Sequence, residues 1–172
     1  MAARKYKAVF VTERPYYGTR YVYDTEAEKW TKRVFSASIT CDPKTLFCER
    51  INLAGGLPVL WQHGGFWGRP SPAVGKVLKM EFMGRKLVGE LEIDEGNLES
   101  YAPGGLEALS RGVNSGLSAG MHFMSTDGGK MTIRDGTFDK PDQFKYGKMN
   151  IIEMSLTPTP RIADCGLMGE IK

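Results

Sequence analysis

The sequence predicts a mainly β protein of the α+β class, in which an antiparallel β-barrel or closed sandwich carries one or two peripheral helices. Apolar and polar residues alternate with a period of two over most of the 172-residue chain, and the alternating runs are short and end at Gly, Pro or Asp. No internal repeat, low-complexity tract or linker interrupts these runs, so we expect one globular unit.

The predicted strands follow one another at short intervals. They cover Tyr6–Thr12, Arg33–Thr40, Leu57–Trp61, Ala73–Phe82, Lys86–Asp94, Ser115–Phe123, Met131–Arg134 and Met149–Thr157. The clearest hairpin is formed by the two runs that flank Met83-Gly84-Arg85. Its second arm has one apolar and one mostly acidic face, which is typical of a strand that covers a core on one side.

Helical spacing is clear only between residues 97 and 112. Leu106, Leu109 and Val113 recur there at steps of three and four after a Pro-Gly-Gly turn signal, so we predict a short helix that ends at a glycine. The largely polar stretch Asp24–Arg33 is a weaker helical candidate.

Composition and charge argue against several classes of protein. Apolar residues make up 41% of the chain and charged residues 25%, close to the averages of globular proteins, which argues against a disordered or fibrous chain. The net charge is only +3, with Lys and Arg interleaved with Asp and Glu, so we expect no nucleic-acid partner. No apolar stretch is long enough to span a bilayer, and Ala8–Val11 is too short for a signal-peptide core, so we expect no membrane partner.

Cysteine usage indicates a reducing compartment. Cys41, Cys48 and Cys165 are odd in number and stand at no metal-like spacing, which favours free thiols. A zinc site built from Cys41, Cys48 and His63 is the weaker alternative to ordinary half-buried cysteines. We therefore predict no metal and no cofactor.

His63, Ser118 and Glu153 supply, in that order, a base, a nucleophile and an acid. A serine hydroxyl is a poor nucleophile until an imidazole accepts its proton. Gly116 and Gly120 flank the serine, so a substrate backbone could approach closely and nearby N–H groups could point at a developing oxyanion. The alternatives are a plain glycine-rich strand edge and, for His63 at the end of a strand, a hydrogen-bonded structural histidine.

The third member of the set has two candidates. Glu153 shares a strand face with Ile151 and Ser155, where a carboxylate needs a partner such as an imidazole or a cross-strand cation. His122 is the alternative, but it stands four residues after Ser118, about 13 Å away along a strand. We favour Glu153.

Four segments stand in a characteristic order along the chain: Leu57–His63, Val74–Val77, Gly116–Gly120 and Ile152–Pro158. Together they resemble the prohead maturation proteases of tailed bacteriophages, within a resemblance that runs from about Val34 to the C-terminus. Each segment is weak by itself, and the specificity lies in their order. The chain departs from the family's pattern at Met121, His122 and Arg161.

The resemblance implies a fold, an activity and a setting. The family is similar to the herpesvirus assemblins, which implies an assemblin-like protease barrel at residues 33–172, with residues 1–32 as an N-terminal segment of uncertain placement. It implies a serine endopeptidase, packaged inside the viral procapsid in the bacterial host cytoplasm, that cleaves scaffold protein, the scaffolding segment of the major capsid protein, or itself. It also implies self-association within the procapsid, with Ser118 as nucleophile, His63 as base and Glu153 as third member.

Two other functions fit the same sequence. The first is an inactive phage scaffold or inner-core structural protein that retains the protease barrel. The second, weaker one is a β-barrel binding module unrelated to capsids. Cleavage of a target would separate the endopeptidase from both.

Overall fold

A computed structural model describes residues 3–62, 72–124 and 129–171. These residues form twelve strands, two short α-helices and one 3₁₀ turn. The strands are β1 (Ala3–Thr12), β2 (Tyr16–Asp24), β3 (Lys29–Ser38), β4 (Leu46–Phe47), β5 (Leu57–Trp61), β6 (Ala73–Met83), β7 (Lys86–Asp94), β8 (Gly116–Phe123), β9 (Gly129–Thr132), β10 (Asp142–Tyr146), β11 (Met149–Thr157) and β12 (Gly166–Ile171). The helices are α1 (Glu95–Tyr101) and α2 (Gly105–Ser110), and the 3₁₀ turn covers Glu49–Asn52.

Seven strands form a closed barrel in the order β11, β5, β6, β7, β1, β12 and β8, and pairing between β8 and β11 closes it. Neighbouring strands are antiparallel except β5 and β11, which run parallel. The short strand β4 adds a parallel pairing to one end of β11. Phe10, Leu57, Leu91 and Ile93 are fully buried in the core. The predicted mainly β fold with a barrel is therefore confirmed.

A second, four-stranded sheet has the order β2, β3, β10 and β9. Its inner face contributes Tyr16 and Ala37 to the same core as the barrel, with Phe144 and Tyr146 packed against it. Asp142 on this inner face is fully buried and accepts hydrogen bonds from Arg33, Arg20 and the backbone N–H of Arg134. The guanidinium of Arg33 holds the pKa of the Asp142 carboxyl well below its usual range.

The N-terminal segment, whose placement the sequence left open, is divided between these two sheets. β1 lies in the barrel between β7 and β12, and β2 is an edge strand of the four-stranded sheet. The boundary expected between residues 32 and 33 falls inside β3, which runs from Lys29 to Ser38. All nine residues of β2 pair with Lys29–Ala37, so residues on both sides of that boundary belong to one hairpin.

The helix considered for Asp24–Arg33 is wrong, since a hairpin turn and the first half of β3 occupy this stretch. The Asp24 carboxylate accepts hydrogen bonds from the N–H groups of Glu26 and Ala27. A side-chain bond of this kind begins a helix or closes a turn equally well, so local sequence does not distinguish the two.

The stretch predicted to hold a helix contains two. α2 corresponds to the predicted helix, and α1 precedes it with Asp94 as its N-cap, which accepts a hydrogen bond from the N–H of Asn97. Gly104, with a φ of 79°, separates the two. In the part of the chain that the structure describes, no helix has the length and apolar character needed to cross a membrane.

Candidate active site on β8 and β11

The register between β8 and β11 brings two of the predicted residues to one place. Ser118 is paired with Ser155 across the two strands, and the next position on the same face pairs Gly120 with Glu153. Directly paired residues of antiparallel strands point to the same face with Cβ atoms about 5 Å apart. Ser118, Ser155 and Glu153 therefore share one small area of the sheet.

This area lies on the outer face of the barrel wall. Leu117 is buried in the core and Ala119 packs against it, so the intervening Ser118 points away from the core. A register shift in β11 between Ile151 and Glu153 places Ile151 in the core and Glu153 on the outer face. The expectation that Glu153 shares a face with Ile151 is wrong for this reason, whereas the face shared with Ser155 is confirmed.

Glu153 lies over Gly120. A Cβ atom on Gly120 would stand 2.4 Å from Cγ of Glu153 and 2.9 Å from its Oε1, so any larger residue would displace the carboxylate. Oε1 also accepts a hydrogen bond of 3.2 Å from the hydroxyl of Ser155, which is fully buried. The carboxylate is thus held beside the serine pair by its own strand and by the space that the glycine leaves.

Ser155 was not among the predicted site residues, although its position two residues after Glu153 put both on one face. The pairing of Ser155 with Ser118 could not be predicted from the sequence, because register depends on which strands become neighbours in the barrel.

Gly116 also has a structural reason for its place. A Cβ there would stand 2.6 Å from both Cδ of Pro160 and the carbonyl oxygen of Thr157. The space beside both glycines is thus used by this chain's own atoms, and a role of Gly116 or Gly120 beside an oxyanion stays a prediction.

His122 lies farther along the same face of β8. It pairs with Asn150 and its side chain is exposed. Because Gly120 and Glu153 occupy the positions between His122 and Ser118, the carboxylate is closer in register to the serine than the imidazole is. This arrangement favours Glu153 over His122 as the neighbour of Ser118.

His63 lies outside the described residues. The two residues before it, Trp61 and Gln62, stand at the end of β5, where Trp61 pairs with Leu156 and the N–H of Gln62 donates a 2.9 Å hydrogen bond to the carbonyl of Leu156. Gln62 has a φ of 55°, so the backbone leaves the strand direction there. The end of β5 is therefore fixed next to the residue that follows Ser155.

The buried thiols are poor candidates for an alternative nucleophile. Burial raises the pKa of Cys41 to about 11 and that of Cys165 to about 12, so both are protonated at neutral pH. Within the described ranges, no three Cys, His, Asp or Glu side chains are grouped as metal ligands. The zinc hypothesis also needs His63, which lies outside those ranges.

One edge of β8 is largely open. Within the described residues, β12 pairs with β8 only at Gly116, although the N–H of Leu117 still donates to the carbonyl of Cys165. Successive residues of a strand point their N–H and C=O groups to opposite edges. The groups of Ala119 and Met121 therefore point to the same edge of β8 as those of Leu117. An extended chain could pair with this edge next to Ser118.

A cavity of about 260 Å³ lies beside this open edge, on the inner side of β8. Its lining includes Ser118 and the cationic Arg161, together with Tyr16 and Tyr146, whose hydroxyls are hydrogen bonded to each other. The neighbours of Ser118 on β8, Leu117 and Ala119, also border it. The volume is below the roughly 300 Å³ at which pockets for drug-sized ligands begin, so a single large side chain is the better fit.

No protein-family model, curated protein or solved structure matches the chain. The resemblance to prohead proteases therefore rests on the four ordered segments alone and stays a prediction. The barrel and the grouping of Ser118, Ser155 and Glu153 stand on their own geometry.

Proposed function

We propose that this protein is a serine endopeptidase of procapsid maturation. The observation that carries the proposal is the grouping of Ser118 and Glu153 on one outer face of the barrel, beside the end of β5 that leads to His63. Three strands that are far apart in sequence, β8, β11 and β5, are thus neighbours in the barrel wall, and β5 ends beside Leu156, the residue that follows the Ser118 partner Ser155. An inert strand edge would not require this convergence.

In the proposed reaction, Ser118 Oγ attacks the carbonyl carbon of the scissile peptide bond while His63 accepts the hydroxyl proton. The same imidazole then donates that proton to the leaving amine, and the acyl-enzyme forms. Water, deprotonated by His63, attacks the ester carbonyl, and the imidazolium returns the proton to Ser118 Oγ as the ester C–O bond breaks and the acid product leaves. Glu153 acts as a positioning residue that orients the imidazole and offsets its charge.

The open edge of β8 supports a polypeptide substrate. An extended chain that adds to this edge would present its backbone alongside Ser118 and turn alternate side chains to the two faces of the sheet. Those on the inner side would meet the cavity between β8 and Tyr16, which has room for one large side chain. Endopeptidases need such extended binding because the substrate continues on both sides of the cleaved bond.

The proposed targets are scaffold protein or the scaffolding segment of the major capsid protein, inside the procapsid in the bacterial host cytoplasm. A peptidase active on capsid precursors in dilute cytoplasm would destroy them before a shell could form. Confinement raises the concentration of enzyme and target to about the millimolar range, where weak self-association and weak substrate binding become effective.

A fluorophosphonate probe tests the nucleophile without knowledge of the natural substrate. The activated serine oxygen attacks phosphorus, the P–F bond breaks, and fluoride leaves. We expect labelling of the full chain at Ser118, located by tandem mass spectrometry, and faster labelling at about millimolar than at nanomolar protein. Ser118→Ala should abolish it, and Ser110→Ala, which removes an exposed serine of α2, should not.

The alternative, an inactive structural protein that retains the barrel, gives a different result. A folded chain whose Ser118 reacts no faster than Ser110 at any protein concentration would contradict the peptidase proposal and favour that alternative. Circular dichroism of Ser118→Ala and Ser110→Ala would verify that both variants fold.

A further inference from the structure

The four-stranded sheet has an outer face that the peptidase proposal does not use. The register places residues from all four strands on it, because directly paired residues share a face. We call this surface the outer sheet face. Its members are Tyr17, Thr19, Tyr21, Tyr23, Trp30, Lys32, Val34, Ser36, Ser38, Lys130, Thr132, Gln143 and Lys145.

Four aromatic rings of β2 and β3 stand in solvent on this face. Tyr17, Tyr21, Tyr23 and Trp30 are between 47% and 67% exposed, and the rings of Tyr23 and Trp30 lie 5.4 Å apart. Val34, the one aliphatic residue of the face, is buried. The exposed apolar area therefore consists of flat aromatic rings. Such a surface suits a ligand with flat groups that stack on the rings better than it suits aliphatic side chains of a partner protein.

The charge of the outer sheet face is all positive. Lys32, Lys130 and Lys145 are exposed, and none of the face's side chains is a carboxylate. Glu13 acts on Lys145 electrostatically, but its carboxylate is bound by Arg85 at 2.7 Å. Along the sequence, positive and negative charges alternate. In the fold, Asp142, which lies close to Lys145 in sequence, is turned to the inner face.

The cations and rings are close enough for one ligand. Lys130, Lys145 and the hydroxyls of Ser36 and Ser38 border a shallow depression of about 370 Å³. Four neighbouring strands span about 14 Å, and Tyr17 to Tyr23 covers about 20 Å along β2. A ligand made of a few linked anionic units with flat groups between them would reach both the lysines and the aromatic rings.

We propose that the outer sheet face binds single-stranded nucleic acid. Bases stack on exposed aromatic rings without regard to sequence, while Lys side chains and hydroxyls contact the phosphates. An acidic protein segment would satisfy the cations but would leave the four exposed rings unused. Duplex nucleic acid keeps its bases inside and could not stack on them. The proposal departs from the expectation of no nucleic-acid partner, which rested on net charge and on charge order along the chain.

The test measures binding of a fluorescently labelled twelve-nucleotide oligothymidylate to the full chain by anisotropy over a range of salt concentrations. We expect Tyr21→Ala to weaken binding by about tenfold. The double variant Lys130→Ala/Lys145→Ala should lower the slope of log affinity against log salt by about 1.4, because each phosphate contact to a single strand contributes about 0.7. Lys5→Ala/Lys7→Ala removes the same charge from exposed positions of β1 and should leave the slope unchanged.

Trp30→Phe separates stacking from charge. We expect it to keep the affinity within about threefold, because the ring remains, and to remove most of the quenching of tryptophan emission that the oligonucleotide causes in the unaltered chain. Ser118→Ala should bind normally, so this result does not depend on peptidase activity. Equal binding of a duplex or of a polyglutamate peptide, or an equal loss in Lys5→Ala/Lys7→Ala, would overturn the proposal, as would no binding at low salt.

Discussion

The barrel and the four-stranded sheet are built from strands of the same two-residue period, yet they use it differently. The barrel closes on itself and turns its apolar residues inward, so its interior holds fully buried Phe10, Leu91 and Ile93. Within the described residues the four-stranded sheet does not close on itself, and one of its faces carries four exposed aromatic side chains. Stability is thus concentrated in the barrel, while the sheet offers exposed surface.

The two regions are also held by different forces. In the barrel the main contribution is burial of apolar area, which is spread over many side chains. In the sheet a single buried carboxylate, Asp142, joins β10 to Arg20 of β2 and Arg33 of β3. A stabilising contribution that depends on one group can be removed by one substitution or by titration, whereas one spread over many side chains cannot.

The largest effect is expected in the barrel core. Leu91→Ala should lower the free energy of unfolding by about 4 kcal/mol, because it removes buried apolar area and leaves a cavity. Urea denaturation monitored by circular dichroism measures the loss. Leu53→Ala makes the same change at an exposed position and should cost less than about 0.5 kcal/mol. Equal losses for the two variants would contradict the picture of a barrel held by its core.

Asp142→Asn should lower stability by about 2 to 3 kcal/mol, because it leaves two partly buried guanidinium groups without a counter-charge. Hydrogen exchange should increase first in β2, β3 and β10 and least in β7. The control Asp135→Asn breaks the exposed ion pair with Lys140, keeps the Arg33–Asp142 ion pair, and should cost less than about 1 kcal/mol. Uniform loss of protection across β7 and β3 would show that the two regions unfold as one.

Acid should weaken the sheet through the same group. The pKa of Asp142 is lower in the folded protein than in the unfolded chain, so its contribution is full above about pH 4 and is lost as pH falls through that value towards the folded pKa. We expect the melting temperature to fall between pH 5 and pH 3, and to fall less in Asp142→Asn. The same fall in both proteins would assign the acid sensitivity to other carboxylates.

The smallest effect is expected at the far end of the β2–β3 hairpin. Tyr23 and Trp30 form an edge-to-face pair, which contributes about 0.5 to 1 kcal/mol beyond burial. A double-mutant cycle of Tyr23→Ala and Trp30→Ala, read by thermal denaturation, isolates this coupling. Additive losses would mean that the contact between the two rings does not stabilise the hairpin.

Local pattern predicted much of the barrel because its strands have one apolar face. The predicted runs Leu57–Trp61, Lys86–Asp94 and Met149–Thr157 have the bounds of β5, β7 and β11. The pattern failed where long-range pairing decides the structure. Asp24 pairs with Lys29, so the polar stretch between them forms the end of a hairpin. The local sequence does not distinguish this turn from the start of a helix.

The candidate site shows the same division. Ser118 and Glu153 stood out through their sequence neighbours, but their proximity depends on the β8–β11 register and on an irregularity after Ile151. A single-residue shift reverses the faces of every later residue in a strand, so side-chain orientation in β11 could not follow from alternation alone. Ser155 became part of the site only through that register.

The position of β1 between β7 and β12 has a consequence for synthesis of the protein. β1 can pair with β7 once residue 94 has left the ribosome, but its other edge waits for β12, about seventy residues later. At roughly 5 to 20 residues per second this interval lasts about 4 to 14 s. During that time the nascent chain exposes an unpaired apolar strand edge, the kind of surface that chaperones bind and that pairs between chains.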